Sequence, residues 1–154
     1  MTVIEKLKSL SIILPPVSGP FGSYIPAKRV GNLIYVAGQL PMKDGKLMAT
    51  GQVPSKCSVE LAIEAAKQCV VNGLAAVNGL PGGVDQIVGV ARVGAFVSSD
   101  TAFTEQPKIA NGASDLLQQI FGPAGQHARA AVGVNTLPRD GSVEIEFVFE
   151  CASS

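Results

Sequence analysis

The chain has 154 residues, with twelve Lys and Arg against twelve Asp and Glu, one His, three Cys and 47% hydrophobic residues. A length of this kind supports a single domain, residues 1–154, that buries roughly 68–70% of its extended-chain surface without a covalent staple. Formal neutrality excludes the clustered Lys and Arg that nucleic acid or an anionic membrane requires, which counts against RNA as the main ligand.

Cys57, Cys69 and Cys151 are scattered, with neither metal-type nor redox spacing, which suits reduced packing thiols in a cytoplasmic protein. The N-terminal MTVIEKLKSLSI mixes Glu5, Lys6 and Lys8 with its apolar residues. It lacks the apolar block of a signal peptide and is expected to stay on the mature protein. Uncharged stretches such as 68–84 are broken by Asn, Gly and Pro and are too polar to span a bilayer, so the chain reads as soluble.

In chain order, Val3, Ile4, Leu7 and Leu10 fall at helical spacing and predict a short amphipathic helix, ended by Pro15 and Pro16. Residues 24–28 and 33–40 read as strands joined by a turn at Gly31 and Asn32. Gly38, inside the second, either marks a bulge or lines a site, because a glycine in a strand admits close approach. From Ser58 the period changes to three and four: Val59, Ala62, Ile63, Ala66, Cys69, Val70, Gly73, Leu74 and Val77 form one stripe of a helix, opposite Glu60, Glu64, Lys67 and Gln68. Gly79 fits the position just past its end and Pro81 prevents resumption. A third strand is expected over 84–97.

Pro107 can open a second long helix with Ile109, Ala113, Leu116, Leu117 and Ile120 inward, ended by Gly122 and Pro123. Its weak point is Asn111-Gly112, a pair costing up to about 1 kcal/mol against alanine. Either something other than propensity holds Asn111 there, or it is a tolerated surface residue.

Residues 127–150 read as one long β-hairpin. Positions 128–136 are small, β-branched or apolar, odd positions from Val143 to Phe149 are large hydrophobes, and Pro138, Asp140 and Gly141 supply a turn. Val143, Ile145, Phe147 and Phe149 then share the core face, with Glu144, Glu146 and Glu150 on the other. A turn centred on Arg139 and Asp140 makes partner numbers sum to about 279 and places Arg129, Ala131, Gly133 and Asn135 on the acidic face, away from the core. Arg129 there is either half of a surface ion pair with Glu150 or, with room beside Ala131 and Gly133, a bidentate ligand for a carboxylate.

His127 is the single histidine, so there is no His pair for acid-base work and no zinc cluster. HExxH, CxxC, GxxxxGK and GxSxG are missing as well, which excludes the usual metal and nucleotide chemistries. His127 reads as a structural residue rather than a general base. The element order, helix then β-β-α-β-α-β-β, predicts an α+β or α/β domain with both long helices on one face of a mixed sheet. The other sheet face has positions too small and neutral for a solvated charged surface, which predicts subunit association through it.

Ala128-Arg129, then Leu137-Pro138 and Val143-Glu144-Ile145-Glu146, resemble the C-terminal signature of the YjgF family, the Rid (reactive intermediate deaminase) or endoribonuclease L-PSP proteins. Ala37-Gly38-Gln39-Leu40-Pro41 resembles the family's Ser-Gly-Gln-Ile-Pro strand end, and Tyr24 after Gly22-Ser23 and Asn111 in the second long helix match further. The resemblance runs from about Tyr24 to Glu146. It implies a chorismate-mutase-like α+β fold and a homotrimer whose sheets form an inner barrel, with sites in the clefts between subunits.

The implied chemistry is hydrolysis of small enamine or imine acids, such as 2-aminoacrylate, to 2-oxo acids and ammonia, with no metal and no organic cofactor. On the matching positions, Arg129 would hold the substrate carboxylate, Glu144 would serve a water or proton near the imine, and Tyr24, Gly38 and Asn111 would line the site. His127 stands where commoner members have Pro, and Ala131 where they have Cys, so the chain looks like a divergent branch. Non-catalytic binding of 2-oxo acids is the alternative. An endoribonuclease would need a basic track and a proton-transfer pair that a neutral chain with one histidine does not supply. If Arg129 faces Glu150, Glu144 stands roughly 20 Å along its strand at about 3.4 Å per residue, so the two are expected to meet only across a subunit interface.

Overall fold

The computed structural model describes residues 1–17 and 22–153. Its elements are α1 (Val3–Ser9), β1 (Ala27–Val30), β2 (Leu33–Gln39), β3 (Met42–Lys43), β4 (Lys46–Leu47), α2 (Val59–Asn78), β5 (Ile87–Ser98), α3 (Gln106–Phe121), β6 (Ala128–Val134) and β7 (Val143–Cys151). Five strands form one sheet in the order β1-β2-β7-β5-β6, and β3 pairs with β4 alone. Neighbours in the sheet are antiparallel except β5 and β6, which are parallel. With both long helices packed on one face and a short N-terminal helix, this is the α+β arrangement with a mixed sheet that the element order predicts.

Local chemistry sets the helix ends. Thr2 and Glu5 cap α1 reciprocally, and the helix stops at Ser9. Ser11 takes a positive φ of 58°, so the turn away comes before the prolines expected to end it. Ser58 accepts a hydrogen bond from the Leu61 amide and starts α2. Gly79 closes α2 while still helical, at φ −76°, so no left-handed glycine is needed there.

The core lies between the helices and the odd positions of β7. Ile145, Phe147 and Phe149 are buried beside Ile34 and Val36 of β2, Val93, Ala95 and Val97 of β5, and Val70, Leu74 and Leu117 of the helices. The Phe147 and Phe149 rings stack at 5.6 Å. Each such side chain contributes about 1.5–3 kcal/mol through burial. Two glycines let the layers approach. A Cβ on Gly73 would stand 2.8 Å from the Phe147 ring, and one on Gly112 would stand 2.5 Å from the Ile63 carbonyl oxygen where α3 crosses α2.

The last third of the chain is not a hairpin. β7 runs between β2 and β5, and β6 lies on the far side of β5, reached from it through the α3 crossover. Residues 135–142 cross the end of β5, where the Ser98 amide donates to the Ser142 carbonyl and the Ser99 amide to the Val134 carbonyl. Arg129 therefore pairs with Val93, itself opposite Phe147, and no residue of β6 pairs with β7. This reverses the faces expected for β6. Arg129, Ala131 and Gly133 stand in rows with Phe147, Ile145 and Val143 on the helix side, while Ala130 and Val132 share the open face with Glu146 and Glu144.

Other boundaries differ by less. β1 begins at Ala27, so Tyr24 precedes it, and a 3-10 turn (Val84–Gln86) comes before β5. Asp44 and Gly45, both at positive φ, make the tight turn of the small β3-β4 hairpin. The face of the sheet away from the helices exposes Tyr35 (49%) and Val132 (45%). Among the described residues, no helix is long and apolar enough to cross a membrane.

Candidate functional site

β6 is an edge strand, and its helix-side positions look toward α3. Asn111 and Ser114 are three residues apart on α3, one turn, and so share a face. Arg129 reaches both through one nitrogen: Nη1 donates to Asn111 Oδ1 at 2.7 Å and to Ser114 Oγ at 3.1 Å. Behind them, His127 Nε2 lies 2.9 Å from Ser114 Oγ and its Nδ1 2.6 Å from the Gly125 carbonyl oxygen. A carbonyl only accepts, so Nδ1 carries a proton, and in the neutral ring Nε2 accepts the Ser114 hydroxyl.

The rest of the Arg129 fork is open. Among the described residues, Nε and Nη2 have no hydrogen-bond partner and no carboxylate lies within ion-pair distance. The ion pair with Glu150 is not formed, because Glu150 is on the open face beside Gly89, on the other side of the sheet. Beyond Arg129 along β6, the helix side carries only the Ala131 methyl and then Gly133. A Cβ on Gly133 would stand 2.6 Å from Gln106 Nε2, which donates to Ser99 Oγ and the Phe103 carbonyl. The result is an exposed guanidinium on an edge strand with small residues beside it on the same side, suited to side-on capture of a carboxylate.

Glu144 and Gly38 lie on the open face. β2 bulges between Val36 and Gln39, and at that bulge a Cβ on Gly38 would stand 3.0 Å from Glu144 Cδ. Glycine there leaves room for the carboxyl group. Burial, and then the charge of Glu146 beside it, pushes the Glu144 carboxyl above the usual carboxylate range. Glu146 itself is 3.6 Å from Arg92. Tyr24 is exposed just ahead of β1, two residues before Pro26, whose carbonyl accepts from the Ala37 amide.

One chain thus forms two groups. Arg129 and Asn111 are in direct contact on the helix side, Gly38 and Glu144 are in contact on the open face, and β5 and the thickness of the sheet separate them. The separation expected along one hairpin does not apply, since Arg129 does not face Glu150; the inserted strand and the opposite face set Arg129 and Glu144 apart instead. Ser114 escaped the sequence reading. Its signal was the three-residue spacing from Asn111, one helical turn, which puts both side chains on the face toward Arg129. A groove of about 380 Å³ between α2 and α3, lined by Lys67, Lys108 and Asp115, touches Asn111 but not Arg129.

Two other chemistries find little footing. Burial pushes the Cys69 thiol up and keeps it unreactive, and all three cysteines are buried and free. Among the described residues, no group of three or more His, Cys, Asp or Glu could hold a metal ion.

The family model described as YjgF/chorismate_mutase-like, putative endoribonuclease, matches residues 5–150. Protein TCP17 of Trypanosoma cruzi is 36% identical over 149 residues, 96% of this chain and 93% of that protein. A 2-iminobutanoate/2-iminopropanoate deaminase of Dermatophagoides farinae is 29% identical over 138 residues, 89% of this chain and 92% of that one. The crystal structure of a protein of unknown function from Agrobacterium tumefaciens superposes with a TM-score of 0.87 at 42% identity, over 97% of this chain and 92% of its own.

Proposed function

This chain belongs to the YjgF/chorismate_mutase-like, putative endoribonuclease family, and from that premise we propose that it hydrolyses small enamine or imine acids of the 2-aminoacrylate type to 2-oxo acids and ammonia. Residues 1–154 act as one domain and three copies assemble through their open faces. The substrate carboxylate lies on Arg129 of one copy, and Glu144 of a neighbour serves the reacting carbon, with Tyr24 and Gly38 lining the neighbour's side and Asn111 the arginine's.

The observation that carries this reading is the free fork of Arg129. A guanidinium held by Asn111 and Ser114 through one nitrogen, with no anionic partner among the described residues, is an anion site waiting for its anion. Imine hydrolysis asks little more of a protein than position. Protonation of the enamine methylene gives the imine, water adds to its carbon, and the carbinolamine loses ammonia to leave the 2-oxo acid. A carboxyl group that holds its proton more firmly than usual, as Glu144 does, suits the transfers in these steps. Fixing the carboxylate places the imine carbon for attack. The similarity to a protein named as an imine deaminase supports the same chemistry.

The test generates 2-aminoacrylate with a pyridoxal-phosphate-dependent dehydratase and follows 2-oxo acid release with wild type, Arg129→Ala and no protein. Wild type accelerates release, and Arg129→Ala loses roughly a hundredfold or more in kcat/KM, two charged hydrogen bonds at about 1.5–3 kcal/mol each. Release no faster than the spontaneous rate overturns the deaminase reading, and 2-oxo acid binding without turnover would make the cleft a metabolite-binding site.

A further inference from the structure

We propose that Ser114 and His127 form a positioning relay that fixes the Arg129 guanidinium in the orientation presenting Nε and Nη2 to a carboxylate. The inference rests on Arg129 as the carboxylate-binding group. It adds two residues that the resemblance does not supply, one of them at a position where commoner members carry proline.

The relay runs one way. Arg129 Nη1 donates to Ser114 Oγ at 3.1 Å, the Ser114 hydroxyl donates to His127 Nε2 at 2.9 Å, and His127 Nδ1 donates to the Gly125 carbonyl at 2.6 Å. Each group uses its one complementary capacity, so the ring's tautomer and the hydroxyl's direction are set together. The far end is anchored in backbone. A Cβ on Gly125 would lie 2.6 Å from the Leu117 carbonyl oxygen, so the Gly125 peptide sits hard against α3 and cannot drift. Ser114 is only 6% exposed, and a buried hydroxyl in mid-helix requires partners; here it has one on each side.

A hydroxyl bonded to an imidazole suggests a nucleophile, but Ser114 lies inside α3 and its oxygen is already occupied by a cation. Its route to the substrate is through Arg129. A long, flexible arginine loses rotamer freedom when it binds a ligand, and holding it beforehand lowers that loss. The relay therefore acts on substrate affinity more than on the chemical step.

Two replacements of His127 separate positioning from simple support. His127→Gln keeps an acceptor near the Nε2 position and loses the donor at Nδ1, whereas His127→Asn keeps the donor to Gly125 and loses the acceptor for Ser114. The experiment records 15N spectra of the Arg129 guanidinium in the ligand-free protein, assigned with Arg129→Lys, and KM and kcat in the 2-aminoacrylate assay. Wild type and His127→Gln should show slow exchange of the Nη1 protons. Ser114→Ala and His127→Asn should exchange faster, with KM raised about five- to thirtyfold and kcat moved far less. Unchanged arginine signals in Ser114→Ala overturn the relay. So does the reverse order, His127→Asn like wild type and His127→Gln impaired, which would mean that the ring only supports Gly125. If wild type gives no turnover, the deaminase reading fails and the arginine signals alone decide the relay.

Discussion

Arg129 and Glu144 project from opposite faces of one sheet, on strands separated by β5. The first faces α3 and the second faces away from both helices, so no rotamer change within a chain brings a shared substrate to both. If both serve one reaction, each chain presents two half-sites to two different neighbours. That is compatible with a closed ring of copies, in which every cleft takes its arginine from one chain and its carboxyl from the next.

The open-face half can be tested through Gly38. A Cβ at that position would lie 3.0 Å from Glu144 Cδ and 3.2 Å from Oε2. These atoms are the end of a flexible side chain, so Gly38→Ala should change stability by no more than about 0.5 kcal/mol. It should nevertheless displace the carboxyl and lower turnover at least about tenfold, since a shift near 1 Å in a positioned group is costly. Full activity in Gly38→Ala, measured beside its melting curve, would show that the placement of Glu144 is not used.

Gly112 offers a test of sign. Helix propensity alone predicts that Gly112→Ala stabilises the protein by about 1 kcal/mol. The crossing of α3 over α2 predicts the reverse, because the added methyl would sit 2.5 Å from the Ile63 carbonyl oxygen, which belongs to backbone and yields little. We expect urea unfolding to show a net loss of about 1–3 kcal/mol. A neutral or stabilised variant would contradict the close crossing.

Glu144 also makes stability depend on pH. Its folded-state pKa is raised by burial and by Glu146, so the folded chain holds this proton more firmly than the unfolded chain. Stability therefore falls as pH rises from the unfolded value, about 4.3, through the folded one, and the loss persists above it. Glu144→Gln removes that dependence. Because the side chain is partly exposed and screened, the variant should melt only about 1–3 °C higher than wild type at pH 8, with the difference gone below about pH 4. A Glu144→Gln protein less stable than wild type at pH 8 would contradict the direction of the shift.

The helices were legible because burial on one side leaves a three-and-four period, and α2 and α3 show it along their whole length. The pairing of the last two strands was not. Alternation in Val143, Ile145, Phe147 and Phe149 fixes which side of β7 is buried but says nothing about which strand lies beside it, and eight residues, 135–142, can pass over β5 as easily as they can turn back. Ala128 to Val134 gives no contrast between faces, since Ala, Gly and Val fit either, so the assumed turn alone decided which way Arg129 pointed. The β3-β4 hairpin went unread because the strands joined by Asp44-Gly45 are too short to show alternation. Within the candidate site, Arg129, Gly38 and Asn111 stood out from the local pattern with a bland reading open beside each, whereas Tyr24 and the role of Glu144 came from the resemblance to known motifs alone. Asn111 has its physical cause in the Arg129 hydrogen bond and Gly112 in the crossing with α2, and neither contact can be seen in a linear pattern.

The central claim is a cleft in which Arg129 of one chain meets Glu144 of another, and subunit mixing tests it most directly. Arg129→Ala and Glu144→Gln, each inactive alone, are co-expressed with different tags, and oligomers carrying both are isolated and assayed on 2-aminoacrylate. In a cyclic trimer that contains both chains, whichever is in excess, one cleft in three takes its arginine from a Glu144→Gln chain and its carboxyl from an Arg129→Ala chain, so about a third of the clefts should regain both. Recovery of about a third of wild-type activity is the predicted result. No recovery above the two parent variants, in oligomers shown to contain both chains, would contradict a site shared between chains.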